Sequence, residues 1–228
     1  MILRMYTLSL EPVCPLRFSV HELRMFLNKK LLEYTSLQKE NTSGYIYRYP
    51  VLQCKAVKDD LIVMGISQGA DCLSELSRDR MVLATGESSC RITARDKEIR
   101  SEMFGSTTTT STYEFLTPWV ALNQQHAKKF YDLIGKPQRD AFMRELLATQ
   151  LQTLAKSLDC GIDVPLLCEV KVRFERERVD RENVMVFHGK VRTNLRIPDF
   201  LGIGRLVSQG YGTIKQSAKS PDTPAGES

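Results

Sequence analysis

Tyr45-Ile46-Tyr47-Arg48-Tyr49-Pro50-Val51-Leu52-Gln53-Cys54-Lys55-Ala56-Val57-Lys58-Asp59-Asp60-Leu61-Ile62-Val63-Met64-Gly65-Ile66-Ser67-Gln68-Gly69-Ala70 carries the signals that decide the fold. Tyr45 to Val57 and Leu61 to Ile66 read as two strands, and Lys58-Asp59-Asp60 between them reads as a hairpin turn. Ser67-Gln68-Gly69-Ala70 then opens a short helix running to about Leu76. Outward on the N-terminal side, Leu3 to Leu10 is an extended, mainly apolar opening strand. After Pro12 and Pro15, Ser19 with Glu22 three residues later forms a capping-box pattern. Val20, Leu23, Leu27, Leu31 and Tyr34 follow at helical spacing, so this helix buries one face. On the other side, Met81 to Ala84 is a candidate fourth strand. Strand, helix, strand, strand, helix, strand is the split βαβ order of a ferredoxin-like (RRM-like) domain.

The second half repeats this order without sequence identity to the first. Arg91 to Thr112 is charged and then threonine-rich, and Thr107 to Thr110 suits either a strand or a loop. Tyr113 to Val120 reads as a strand opening a second unit. Helical patterns span Asn123 to Ile134 and Gln138 to Leu158, the latter with Met143, Leu147, Leu151, Leu154 and Leu158 as its buried stripe. Cys168 to Phe174 and Val184 to Leu195 pair as strands, with Arg181-Glu182-Asn183 near the turn. The expectation is α+β, two tandem ferredoxin-like domains over residues 1–105 and 106–216, with 217–228 a disordered tail.

Bulk properties exclude more than they select. With 42% apolar and 26% charged residues among 228, the chain reads as a soluble globular protein, and cytoplasmic. The start, Met1-Ile2-Leu3-Arg4-Met5, lacks the apolar run of a signal peptide, and Leu61 to Ile66 is too short to cross a bilayer. Cys14, Cys54, Cys72, Cys90, Cys160 and Cys168 form no C-x-x-C pair, and no histidine pair has zinc spacing. Buried free thiols are expected, with no metal and no cofactor. A formal charge of +5 permits a polyanionic partner and matters only where it is concentrated.

That concentration falls near the C-terminus. Gly202, Gly204, Gly210 and Gly212 are four of the 13 glycines. Gly202-Ile203-Gly204-Arg205-Leu206-Val207 starts like a dinucleotide fingerprint, but Val207 stands where the third glycine belongs. Glycine also lets backbone amides approach a phosphate, because no Cβ intervenes. Between His188 and Lys215 the basic residues are Lys190, Arg192, Arg196, Arg205 and Lys215, against Asp199 alone. His188, Lys190 and Arg192 alternate along one strand and share a face, which suits a phosphodiester backbone. A solvated basic strand beside a positive-φ turn accounts for the same composition equally well.

The run Asn194-Leu195-Arg196-Ile197-Pro198-Asp199-Phe200-Leu201-Gly202-Ile203-Gly204-Arg205-Leu206-Val207-Ser208-Gln209-Gly210-Tyr211-Gly212-Thr213-Ile214 resembles the C-terminal glycine-rich loop of the CRISPR-associated endoribonucleases that cut precursor CRISPR RNA within its repeats. Tyr113-Glu114-Phe115-Leu116-Thr117-Pro118-Trp119-Val120-Ala121-Leu122-Asn123-Gln124 and Tyr47 to Lys55 leading into Ile66-Ser67-Gln68-Gly69-Ala70 resemble one branch of that family. The resemblance spans roughly residues 1 to 215. It implies tandem ferredoxin-like domains, CRISPR repeat RNA as partner, and metal-independent cleavage by the 2′-hydroxyl. It also implies that Gly204, Arg205, Ser208, Gln209 and Gly210 lie near RNA or against the first domain. CRISPR effector subunits and a second copy of the chain are the further candidate partners.

Such cleavage needs a base for the 2′-hydroxyl, positive charge for the phosphorane and an acid for the leaving 5′ oxygen. Histidine suits the proton transfers. The branch commonly has histidine just before the block matching Tyr47 to Lys55, where this chain has Ser36-Leu37-Gln38-Lys39-Glu40-Asn41. His21, Tyr34 and Lys39 are therefore the candidate catalytic residues, with a cap role for His21 and core packing for Tyr34 as competing readings. His126 reads as a structural helix residue. The RNA-binding candidates are His188, Lys190, Arg192, Arg196, Gly202, Gly204, Arg205, Ser208, Gln209, Gly210 and Gly212. Two hypotheses stand: a repeat-specific endoribonuclease, and a catalytically silent module that holds CRISPR RNA. A weaker third is a two-domain ligand- or protein-interaction unit without RNA.

Overall fold

The computed structural model describes residues 1–12, 23, 25, 49–58, 60–77, 81–85, 88–179 and 182–217. Its first sheet contains β1 (Ile2–Pro12), β2 (Leu52–Val57), β3 (Asp60–Ile66), β4 (Met81–Thr85) and β5 (Ser88–Met103). They lie in the order β2-β3-β1-β5-β4, and every neighbour is antiparallel. The turn at Lys58 takes the left-handed conformation, closing the β2–β3 hairpin. Helix α1 (Gln68–Leu76) starts directly after Ser67, as the sequence indicates. Leu23 and Met25 are helical and Leu23 is buried; the rest of the expected Ser19–Tyr34 helix lies outside the described residues.

One element differs in role. Met81–Thr85 does form a strand, but at the sheet edge. The place beside β1 belongs to β5, which pairs with β1 from Ile2 through Pro12. Its run Asp96-Lys97-Glu98 hides this, because these positions are solvent-exposed and carry no apolar alternation. The threonine run resolves similarly. It belongs to β6 (Gly105–Phe115), so the second unit opens eight residues before Tyr113.

The second sheet adds β7 (Cys168–Val179), β8 (Glu182–Arg196) and β9 (Ile214–Gln216) in the order β7-β8-β6-β9. With α2 (Gln124–Asp132) and α3 (Lys136–Ser157) it completes a second ferredoxin-like unit. Asn123 caps α2 by accepting the amide hydrogen bond of His126 at 2.7 Å. In α3, Met143, Leu147, Leu151 and Leu154 are buried and Leu158 partly so. The first sheet ends at Met103 and the second begins at Gly105. Of the expected tail only Ser217 is described, and its amide donates to Thr112 O.

Two apolar cores hold this together. On one face of the first sheet Tyr6, Leu8, Leu10, Leu52, Cys54 and Val63 pack with Ala70, Cys72 and Leu73 of α1. From the opposite face Leu3, Met5, Met64 and Ile66 join Tyr49 and the second domain around Trp119, Phe187 and Leu151. The first sheet is thus buried on both sides, and the larger core belongs to both domains. Cys54, Cys72, Cys160 and Cys168 are free thiols. Among the described residues no helix is long and apolar enough to cross a membrane.

Candidate nucleic-acid interface

The glycine-rich segment occupies the connection between β8 and β9, where the first domain has α1. It forms only one 3-10 turn, Val207–Gln209, between Leu206 and Gly210, both in left-handed conformation. Its backbone bonds largely to itself, and Tyr49 ties it to the first domain. The Tyr49 hydroxyl donates to Gly202 O at 2.8 Å and accepts from Gly202 N at 3.0 Å. Gly210 rests on β2: with φ of +91°, a Cβ there would lie 2.7 Å from Cys54 O. Glycine at 210 is demanded by backbone conformation and by close approach. Gly204 meets the Trp119 ring in the same way, an added Cβ lying 2.6 Å from its Nε1.

The amides of Gly202, Gly210 and Gly212 therefore have protein acceptors, namely Tyr49 Oη, Val207 O and Pro118 O. For these three glycines the expectation of amides turned to a phosphate does not hold. A short loop crossing between two packed surfaces must satisfy its backbone internally, and here small size serves packing. What the loop presents outward is side chains: Arg205 is exposed, and Ser208 and Gln209 are half-buried.

Beneath Gly210 lies Lys55 of β2. Lys55 is fully buried. Its Nζ donates to Gln53 Oε1 at 2.6 Å and to Thr213 Oγ1 at 3.3 Å. Thr213 Oγ1 in turn donates to Gly210 O, as does Thr117 Oγ1. Burial pushes the Lys55 ammonium down to about 7, and Cys54 offsets this in part. The signal was legible in one respect: Gln53 and Lys55 alternate with Leu52 and Cys54, giving β2 a polar face that something polar must meet.

Tyr49, Gln150, Thr153, Ser157, Gly204 and Arg205 line a cleft of about 150 Å³. Gln150 fixes its floor, accepting from Trp119 Nε1 at 3.0 Å and donating to Ala121 O at 2.7 Å. Leu154 and Ile203 make much of its wall apolar, while the Thr153 and Ser157 hydroxyls and the Arg205 guanidinium are the polar groups able to meet an anionic guest.

The basic residues of the second sheet divide. His188, Lys190 and Arg192 do share a face, with Arg173 opposite His188 and Lys171 opposite Lys190 on β7. Lys215 continues that row through Glu114. Yet the face is not purely cationic. Glu114 lies 3.5 Å from Lys190, Glu169 3.9 Å from Arg192 and Glu175 3.9 Å from His188. Those carboxylates come from other strands, so counting charge from His188 to Lys215 could not register them. Tyr211 borders the same face, its hydroxyl donating to Glu177 Oε1 at 3.2 Å. Arg196 stands apart, beside Ser106, Thr107 and Asp163. The expected single patch is thus a mixed face, a cleft at Arg205 and an isolated Arg196. His126 packs edge-on against Phe142. His21, Tyr34 and Lys39 lie outside the described residues.

The two tandem ferredoxin-like domains match the fold of solved Cas6b structures. The family models for the Cas6b N-terminal and C-terminal domains match residues 1–103 and 105–217. The chain belongs to the Cas6b family. A crystal structure of Cas6b has a TM-score of 0.80 at 25% identity, covering 95% of this chain and 100% of that one. A crystal structure of a CRISPR RNA processing endoribonuclease Cas6b gives 0.73 at 24%, with coverage of 95% and 100%, and shows the shared fold. The uncharacterized protein MJ0978 of Methanocaldococcus jannaschii is 28% identical over 119 residues, 51% of this chain and 80% of that protein.

Proposed function

We propose that this protein binds CRISPR repeat RNA and cleaves precursor CRISPR RNA by attack of a ribose 2′-hydroxyl on the adjacent phosphate. The 2′-oxygen forms the new bond to phosphorus, and the 5′ oxygen leaves with a proton. A 2′,3′-cyclic phosphate and a 5′-hydroxyl result. The nucleophile belongs to the substrate, so the reaction needs no metal-bound water. The observation that carries the reading is the cleft that Arg205 of the glycine loop lines together with Thr153 and Ser157 of α3 and Tyr49 of the first domain. A guanidinium there is suited to the negative charge that builds on the phosphorane. His188, Lys190, Arg192, Ser208 and Gln209 would line the RNA path, with Gly202, Gly204, Gly210 and Gly212 shaping the loop. Arg196 would serve a separate contact. His21, Lys39 and Tyr34 are the proposed proton-transfer candidates. Effector-complex subunits, a second copy and a cytoplasmic setting complete the proposal.

A second reading is favoured by one sequence fact: no histidine occupies Ser36 to Asn41. It is a catalytically silent homologue that holds CRISPR RNA. Incubating the host's own repeat RNA with the protein in EDTA separates the two, with a substrate carrying a single 2′-deoxy at the cut as control. Cleavage of the ribose form alone supports the enzyme. Tight binding without cleavage supports the holding module. Absence of binding removes both.

A further inference from the structure

On the outer side of the second domain, α2, α3 and the edge strand β7 bring together a cluster of rings and cations outside the glycine-loop cleft. Phe130 meets Phe174 at 5.6 Å and Phe187 at 5.7 Å, both edge-on. Phe174 and Tyr131 nevertheless remain 44% and 46% exposed, so both rings are reachable from solvent. The Arg176 guanidinium donates to the Tyr131 hydroxyl at 3.0 and 3.2 Å. Its carbon lies over the Tyr131 ring, 5.6 Å from the centre, so the guanidinium attends one face and the other is the side available for stacking. Arg139 lies 5.2 Å from the Phe130 ring, and Lys129 lies 5.2 Å from Phe142. Lys128 stands one turn before Tyr131 on the same side of α2, exposed like Lys129 and Lys136.

We infer that Tyr131 and Phe174, with Lys128, Arg139 and Arg176 around them, form a second RNA site that stacks bases of a single-stranded segment flanking the repeat. Open aromatic faces accept any base, and the cations between them meet the phosphates, which is how single strands are held without sequence readout. The charge of these elements leans the right way, since α2, α3 and β7 together carry ten lysines and arginines against six carboxylates. Protein is a poorer occupant. Seven of the twelve β7 residues are charged, Glu169, Lys171, Arg173, Glu175, Arg176, Glu177 and Arg178, and such an edge resists pairing with another strand. Phe130 also touches Phe187, which meets Trp119 at 5.8 Å, and Trp119 packs under Gly204. Ring contacts therefore run from Phe174 through Phe130 and Phe187 to Trp119 beneath the glycine loop.

The inference rests on the RNA reading above, and the test separates them. Affinity is measured for the host's repeat RNA alone and for the same RNA with a single-stranded extension, using wild type and the Tyr131→Ala/Phe174→Ala variant. A melt confirms that the variant is folded, and Lys128→Glu provides a variant at an exposed side chain away from the Phe142 contact. Wild type binds the extended RNA roughly tenfold more tightly for each base stacked. The ring variant binds the bare repeat as wild type does and loses that gain; the lysine variant loses part of it. Photo-crosslinks from 4-thiouridine in the extension fall on α2 and β7. An extension that adds no affinity, or a gain surviving in both variants, overturns the inference while leaving the RNA reading intact. A concentration-dependent dimer that Tyr131→Ala abolishes overturns it in favour of a second copy. Failure of wild type to bind any repeat RNA sinks both.

Discussion

The two halves share one strand order, with the second strand outermost, then the third, the first and the last long-range partner. They differ in how the third strand returns. In the first half α1 makes the connection and packs Ala70, Cys72 and Leu73 onto its own sheet. In the second half residues 197–213 make it without a helix, and their contacts go to Tyr49, Cys54 and Lys55 of the other domain. One topological link thus closes a local core when it is helical and locks two domains when it is glycine-rich. The lock also fixes where Arg205 and the 3-10 turn stand.

The strongest way to break this comparison is through Lys55. Its folded pKa is lowered from 10.5 to about 7, so between those values the unfolded chain binds more protons. Stability therefore rises from pH 7 toward pH 10, by on the order of 4 kcal/mol across the window, and falls by no further Lys55 contribution below pH 7. In Lys55→Met that increment disappears, leaving the gentler pH dependence of the exposed groups. Denaturant melts of both proteins across this range check it. Parallel curves would show that Lys55 is not desolvated at the seam.

Next come paired truncations. Leu73→Ala in α1 removes a fully buried side chain and should cost about 3 kcal/mol while leaving repeat-RNA affinity per folded molecule unchanged. Gly210→Ala forces a Cβ against Cys54 O at a positive φ and should cost a similar amount. It should also weaken RNA binding, because the turn carrying Ser208 and Gln209 shifts. If Leu73→Ala harms binding as much, the division of labour between the two connections is wrong. Tyr49→Phe is milder, about 2 kcal/mol, since it strips the donor and acceptor partner from Gly202 in a buried seam.

How much of this was written in the sequence depends on range. Local signals were clear: Ser67 before α1, Asn123 before α2, the Leu147–Leu154 stripe and the Lys58 turn each depend on residues within a few positions. Ser88–Met103 was not legible as a long strand, because its register comes from β1 nearly ninety residues away. The same limit governs the site. The alternation of His188, Lys190 and Arg192 could be read, but Glu114, Glu169 and Glu175 arrive only when β6 and β7 pair with β8. Tyr49 and Lys55 lay inside a recognised block, yet their partners Gly202 and Thr213 are more than 150 residues distant.

The smallest expected effect sharpens that point. Glu114→Gln should change stability by less than about 0.5 kcal/mol, since its pair with Lys190 is half exposed. It should raise repeat-RNA affinity by a small factor at low salt, because Lys190 no longer has a competing carboxylate. An unchanged affinity would place Lys190 off the RNA path.

The central claim, that the loop-locked pair of domains grips a sugar–phosphate chain, is tested most directly by titrating the host's repeat RNA across a salt series. The account predicts that log affinity falls linearly with log salt, with a slope worth several displaced counterions, and that Arg205→Ala makes the slope shallower by about one. A flat line with salt would contradict it.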